Sequence, residues 1–391
     1  MDSFAKLLEV ASYMKYEPAE DQHSSTPAND DLPACHSSRD PGKDAHLIHQ
    51  AVMPGGKRIA LLKTLITSAC ERDCYYCCFR AGRDFRRTTF KPDEMAATFM
   101  RLNREGVAEG LFLSSGVAGG GVRTQDKLLD TAEILRQKMT FQGYLHLKLM
   151  PGVEKAQVER AMQLANRVSI NLEAPNTLRL ARLAPHKTFL EELLQPLRWV
   201  EEIRRSQPGC LGWNGRWPSI TTQFVVGAAG ESDLELLTTT YQLQQNLRLA
   251  RAYFSGFNPV SDTPLENLPA LNPWREHRLY QASFLLRDYG FDLEDLPFET
   301  GGDLPLTRDP KLAWAEVNLA HAPVELNRAD PRELLRIPGV GPKSVQALMK
   351  IRRQHRLREL GELRALGIVV GRAAPFVLLD GHRPPQQLPL W

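Results

Sequence analysis

Three cysteines, Cys70, Cys74 and Cys77, carry the strongest chemical signal in this 391-residue chain. They follow an apolar segment, and the spacing Cys70-x3-Cys74-x2-Cys77 puts three thiolates on one tight loop. Three thiolates can hold three irons of a cubane. The fourth iron then stays open to a substrate or cofactor, which is what chemistry at a cluster requires. The competing reading is structural zinc, with Cys78 or His36 as fourth ligand. Zinc sites usually come as two well-separated C-x2-C pairs, and no second pair occurs here. Four of the six cysteines fall between Cys70 and Cys78, so they do not form the spread framework of a disulfide-stapled secreted domain. Cys35, Cys78 and Cys210 read as small buried hydrophobes, with Cys35-His36 a weak candidate for the cluster mouth. Arg80 and Arg83, just after the loop, read equally as neutralisers of cluster or carboxylate charge and as solvated residues.

The elements that must position this loop alternate. Strand candidates are Arg58–Thr67, Gly110–Ser114, Tyr144–Met150, Arg167–Glu173, Ile220–Val226 and Ala250–Phe257. Between them, helical periodicity marks Pro92–Asn103, Asp126–Lys138, Glu154–Ala165, Phe189–Arg205 and Ser232–Leu243. Strands alternating with helices predict an α/β fold with a parallel sheet, and both an open doubly wound sheet and a barrel fit the pattern. Met1 to Tyr16 reads as a short amphipathic helix, and residues 17 to 45 as a linker rich in Pro, Ser, Asp and His. No apolar run of about 18 residues occurs, so no membrane-spanning helix and a cytoplasmic location are expected.

The net charge of +3 is unevenly placed. From Arg328 to Arg358 nine basic residues face only Asp330 and Glu333, which points to a polyanionic partner for the C-terminal end. Inside this stretch Ile337-Pro338-Gly339-Val340-Gly341 separates helix candidates Pro331–Arg336 and Lys343–Arg353, with Asp330 as N-cap. Backbone N–H groups of the glycine turn, the helix dipole and Lys343 together would form a nest for phosphate.

The segment Cys70-Glu71-Arg72-Asp73-Cys74-Tyr75-Tyr76-Cys77 resembles the C-x3-C-x-aromatic-C signature of the radical S-adenosylmethionine (SAM) superfamily, with Tyr76 at the aromatic position. The resemblance implies a partial (β/α)6, TIM-like barrel over residues 46–304, a 4Fe–4S cluster on Cys70, Cys74 and Cys77, and SAM as cofactor. Reductive cleavage of SAM to methionine and a 5′-deoxyadenosyl radical is the activity it implies. Ser114-Ser115-Gly116 occupies the place of the superfamily's Gly-Gly-Glu, which contacts the methionine amino group; the carboxylate is missing, so hydroxyls or carbonyls would accept instead. Glu173, at the end of Asn171-Leu172-Glu173, and Lys148 fall where polar strand-end residues meet SAM. Gly227 and Gly230 fall where a glycine stretch packs near adenine. Read alone, the Ser and Gly segments are equally ordinary strand-end turns.

Ile337–Lys343 resembles the helix-hairpin-helix motif of DNA repair proteins, which implies backbone binding through Gly339, Val340, Gly341 and Lys343 by a small all-α domain over residues 320–391. Such hairpins also serve as packing elements. From about residue 45 to 383 the chain is similar to radical SAM proteins described as DNA modification or repair proteins. Leu62–Cys70, Gly110–Gly116, Tyr144–Lys148, Arg275–Ala282 and Asp309–Ala315 carry that likeness. It implies a nucleotide in DNA as substrate, an electron donor such as flavodoxin or ferredoxin, and a uracil-DNA-glycosylase-like partner. RNA modification, and a DNA-bound redox sensor without turnover, are the alternatives.

Overall fold

The computed structural model describes residues 2–11, 47–53 and 56–385. The linker 17–45 and Cys35-His36 lie outside the described residues. The chain forms two compact units. The first holds the described residues up to Glu231 together with Gln242–Glu276, and the second holds Ser232–Tyr241 and the described residues from His277.

The first unit is built on a seven-stranded sheet with strand order identical to chain order. Its strands are β1 (Ile48–Val52), β2 (Arg58–Leu65), β3 (Gly110–Ser114), β4 (Tyr144–Lys148), β5 (Arg167–Ser169), β6 (Ser219–Val226) and β7 (Arg251–Gly256). β1 pairs antiparallel with β2, and β2 to β7 run parallel. A doubly wound sheet reverses its strand order at a switch point. Here the order never reverses, and β1 and β7 do not pair. The sheet is therefore an open, curled half-barrel, the choice that periodicity could not make. Every residue of β3 is buried, as is β6 after its first; β3 is mostly apolar, whereas β6 buries Thr221, Thr222 and Gln223 among its apolar residues.

Helices α2 (Pro92–Arg104), α3 (Gly121–Glu133), α4 (Lys155–Leu164), α5 (Thr177–Leu183) and α6 (Gln195–Ser206) form crossovers between strands. The expected stretches Asp126–Lys138 and Phe189–Arg205 are helical, each with a wide turn inside it, at Ile134–Lys138 and Phe189–Leu194. The N-terminal α1 covers Ser3–Ala11, and its Lys6 pairs with Glu94 of α2 at 2.8 Å. α5 had no signal in the sequence, being only seven residues long. β5 stops at Ser169, short of the expected Glu173. The chain rejoins the sheet at Glu173 alone, which bridges Phe224 with φ at 65°. That left-handed backbone is costly for a residue with a side chain and breaks the strand locally.

Helix α7 (Asp233–Leu247) precedes β7, and α8 (Pro273–Asp288) follows it. The second unit continues with α9 (Pro310–Asn318), β8 (Val324–Glu325), α10 (Pro331–Arg336), α11 (Pro342–Ile351), α12 (Leu360–Ala365), α13 (Val370–Ala373) and β9 (Val377–Leu378). β8 and β9 pair in parallel and tie the ends of this segment together. Leu334, Ile337, Val340, Val345, Leu348, Leu363, Ile368 and Phe376 share one core. Each such side chain contributes about 1.5–3 kcal/mol on burial.

Two helix–turn–helix pairs, α10–α11 and α12–α13, follow one another here. Leu335-Arg336-Ile337-Pro338-Gly339-Val340-Gly341 and Leu363-Arg364-Ala365-Leu366-Gly367-Ile368-Val369 are their turns, with Gly339 (φ 78°) and Gly367 (φ 73°) in equivalent positions. The turns dock on each other: Val369 N–H donates to the Gly339 carbonyl at 3.0 Å, and the Ser344 hydroxyl donates to the Gly367 carbonyl at 3.1 Å. The chain thus carries a second, degenerate copy of the turn expected from Ile337–Gly341.

Candidate cluster and SAM site

The cysteine loop leaves β2 and is held by the residues between its cysteines. The Glu71 carboxylate accepts from the N–H groups of Gly119 and Gly120 at 3.0 and 3.1 Å, at the start of α3. Arg72 donates to the His186 carbonyl at 2.7 Å and pairs with Glu192. Asp73 meets His186 Nδ1 at 2.7 Å, and Tyr75 N–H donates to the Leu183 carbonyl. The loop is therefore sewn to two crossovers, β3–β4 and β5–β6, by the residues the signature leaves unspecified.

Arg87 is a second staple that the sequence did not reveal. Its guanidinium donates to the carbonyls of Ser68, Phe79, Arg80 and Arg83 at 2.6–3.1 Å and stacks on the Phe85 ring at 3.7 Å. Arg83 donates to the Cys78 and Ser261 carbonyls, so it too braces the loop. Gly116 closes the approach from β3: an added Cβ would overlap the Ala69 carbonyl oxygen, and only glycine fits there.

Cys70, Cys74 and Cys77 line one cavity, partly open to solvent. Tyr76, Ser114, Ser115, Gly116, Lys148 and Glu173 line it too, as do Asn171, Lys187, Gln223 and Asn258. The residues come from the C-terminal ends of the parallel strands, where barrel sites are built. Gly227 and Gly230 do not line the cavity. They shape the turn after β6, where Gly227 (φ 98°) faces Leu271 and the Gly227 and Ala229 N–H groups donate to the Glu231 carboxylate. Ser115 donates its hydroxyl to the Gly116 carbonyl at 2.7 Å. Cys78 is buried beside Cys77, and Cys210 is exposed in the turn Gly209–Leu211.

The donor set fits a cubane. Val117 N–H points at Cys70 Sγ and Phe79 N–H at Cys77 Sγ, each at 3.4 Å, and amides aimed at sulfur stabilise thiolate and tune a cluster. Among the described residues no three Cys, His, Asp or Glu side chains converge on the position of a single ion. A cubane holds its three thiolates on three separate corners, so it needs no such convergence. Burial pushes the Cys74 thiol up to about 12, with Lys187 the leading opposing influence. Burial likewise raises Cys70, against the amides of Val117 and Arg72. Iron must displace these protons on binding.

A buried ion pair faces the cavity. Lys187 Nζ lies 3.0 Å from Glu173 Oε1, and both side chains are nearly sealed, at 8% and 6% exposure. Burial favours loss of the lysine proton, but the Glu173 carboxylate and the neighbouring cysteines outweigh it and raise Lys187. Glu173 Oε2 is buried with no hydrogen-bond partner among the described residues that meets normal geometry. Burial and Glu173 together raise Tyr76 well above the ordinary phenol range. Lys187 was missing from the expected set because it follows α5, an element without a sequence signal.

A half-barrel thus carries a three-cysteine loop at the mouth of its parallel strands, a donor set that fits an iron–sulfur cluster. Residues 64–213 match the radical SAM superfamily, and that match implies a 4Fe–4S cluster and SAM as cofactors. No curated protein matches it. Among solved structures it is similar to the FeFe-hydrogenase maturase HydG from Carboxydothermus hydrogenoformans, with 13% identity and a TM-score of 0.46. That match covers 58% of this chain and 51% of the maturase. Methylornithine synthase (PylB) matches with 16% identity and a TM-score of 0.46, over 59% of this chain and 63% of the synthase. A radical SAM methyltransferase from Sphaerobacter thermophilus matches with 17% identity and a TM-score of 0.43, over 61% and 70%. The chain thus spans about half to two thirds of the maturase and the synthase. No helix among the described residues is long and apolar enough to cross a membrane.

The predicted phosphate nest lies in the second unit. Gly339 takes the left-handed backbone, whereas Gly341 sits at φ −113° as N-cap of α11 and does not need it. Among the described residues no side chain caps that helix start, and Lys343 stands exposed beside it. The Val340 side chain is core, and its carbonyl accepts from the buried Lys311 at 2.6 Å. Much of the local basic surplus is used internally. Arg336 pairs with Asp295 at 2.9 Å, Arg352 donates to the Ala329 carbonyl, and Arg356 and Arg358 pair with Asp380.

Proposed function

We propose that this radical SAM enzyme acts on a nucleotide in DNA, with the C-terminal unit as a helix-hairpin-helix module that grips the phosphate backbone. The observation that carries the reading is the repeated turn, Ile337–Gly341 and Ala365–Val369, docked through the Val369–Gly339 hydrogen bond. One such hairpin offers amides to one phosphate stretch; two in one module suit the two strands of a duplex. The uncapped start of α11 with exposed Lys343 supplies donors of the right kind, and such contacts carry no base preference.

When bound, the cluster and SAM supply reductive cleavage of the sulfonium and thereby a radical able to take a hydrogen atom from the substrate. The chain's residues do the rest. Cys70, Cys74 and Cys77 would hold three irons and leave one open. Glu173 would offer its carboxylate to a hydroxyl or ammonium group of the bound cofactor, and Lys148 and Asn171 line the same cavity. A target nucleotide taken out of its stack would be presented to that cavity.

Binding of labelled duplex DNA, single-stranded DNA and RNA, measured from 50 to 200 mM salt (a range of about 10³–10⁵ in affinity for proteins with many phosphate contacts), tests the reading. Duplex DNA should bind best, with affinity falling as salt rises. Lys343→Glu should weaken it about tenfold, as expected when a phosphate contact is removed and a repulsive charge added. Binding untouched by Lys343→Glu, or stronger for RNA, contradicts it.

A further inference from the structure

We infer that Lys187 is the charge that sets the reduction potential of the cluster, with Glu173 as its counterweight. The geometry is that of a fixed charge. Lys187 follows α5, lines the same cavity as Cys74 and Cys77, and is almost fully screened from water. Its ammonium is held 3.0 Å from Glu173 Oε1, and the backbone of the segment is fastened by the Lys187 N–H to the Ala184 carbonyl at 3.0 Å. Neighbouring His186 is tied to the cysteine loop itself through Asp73 and Arg72, so the lysine and the loop move as one piece.

A charge sealed from solvent acts across a low effective dielectric, where its influence is several times that in water. Among the charges acting on Cys74, Lys187 outranks Cys77 and Glu173, and it acts on Cys77 as well. Adding an electron to the cluster adds negative charge beside this ammonium, which favours the reduced form. Glu173 opposes the effect. The carboxylate holds the lysine in place through Oε1. Lys187 is therefore a tuning and positioning residue and not one that touches the reacting atoms.

The test is a redox titration of the reconstituted cluster without SAM, followed by electron paramagnetic resonance. Lys187→Met should make the cluster at least tenfold harder to reduce, about 59 mV more negative for one electron. Lys187→Arg should stay near wild type. Glu173→Gln, which leaves the lysine charge unbalanced, should shift the potential in the opposite direction. An unchanged potential in Lys187→Met with full iron content overturns the inference. If Lys187→Met cannot retain iron, Glu173→Gln decides alone: a positive shift supports it, and no shift or a negative one overturns it.

Discussion

Replacing Arg87 by Ala should cost the protein its cluster while leaving the barrel folded. The side chain gathers four carbonyls, those of Ser68, Phe79, Arg80 and Arg83, all in or next to the cysteine loop. A hydrogen bond to a charged donor contributes about 1.5–3 kcal/mol. Arg87 is half-buried and one guanidinium serves all four acceptors, so the sum is well short of additive; about 3 kcal/mol is the reasonable scale for the loop. That is about two orders of magnitude in the fraction of molecules with the loop closed, at 1.4 kcal/mol per decade. Iron and sulfide per chain after anaerobic reconstitution should fall steeply in Arg87→Ala and partly in Arg87→Lys, which keeps the charge but loses the fork. Thermal unfolding of the iron-free protein should change little, because the barrel strands do not depend on this residue. Full iron retention in Arg87→Ala would refute the staple. A collapse of the iron-free fold would show that Arg87 serves the whole barrel.

Gly116→Ala should also empty the cluster site, since its Cβ would overlap the Ala69 carbonyl next to Cys70; normal iron content in this variant would show that β3 can yield there. Lys311 gives a pH dependence. Burial, aided by Arg372 and opposed by Asp309, lowers it from 10.5 to about 7. Between those values the unfolded chain binds the proton that the folded one has released, so stability rises with pH from about 7 and the contribution is flat below. At 1.36 kcal/mol per unit the gain is at most about 5 kcal/mol. The stability of wild type relative to Lys311→Met should therefore grow between pH 7 and pH 10 in denaturant titrations, and parallel curves would sink the assignment. The neutral amine can still donate to the Val340 carbonyl, so the turn should keep its place across that range.

What the sequence made legible was the chemistry fixed by spacing and the strands fixed by burial. Cys70, Cys74 and Cys77 announce themselves because three thiolates on one loop have few other uses. Fully buried β3 announces itself by its apolar Leu111-Phe112-Leu113. The sheet order was not legible, because alternation of strand and helix is the same in a half-barrel and in a doubly wound sheet. Lys187 and Arg87 were invisible for a different reason. Each acts through partners set by tertiary packing, and neither lies in a periodic or motif-like segment. Glu173 was recognised as a strand-end polar residue, but its left-handed backbone and orphaned Oε2 exist only in three dimensions. The second hairpin escaped notice because Leu366 and Val369 replace Pro338 and Gly341, leaving little of the turn's signature. The basic surplus around Arg328–Arg358 counted charges without their partners, and Asp295 and Asp380 take up three of the arginines.

The most direct test of the central claim is anaerobic incubation of the reduced, reconstituted protein with SAM, with 5′-deoxyadenosine measured by mass spectrometry. Wild type should form it, and Cys74→Ala should form none and lack the cluster, whereas Cys210→Ala should match wild type. Undiminished 5′-deoxyadenosine from Cys74→Ala, or none from wild-type protein with full iron content, would contradict the account.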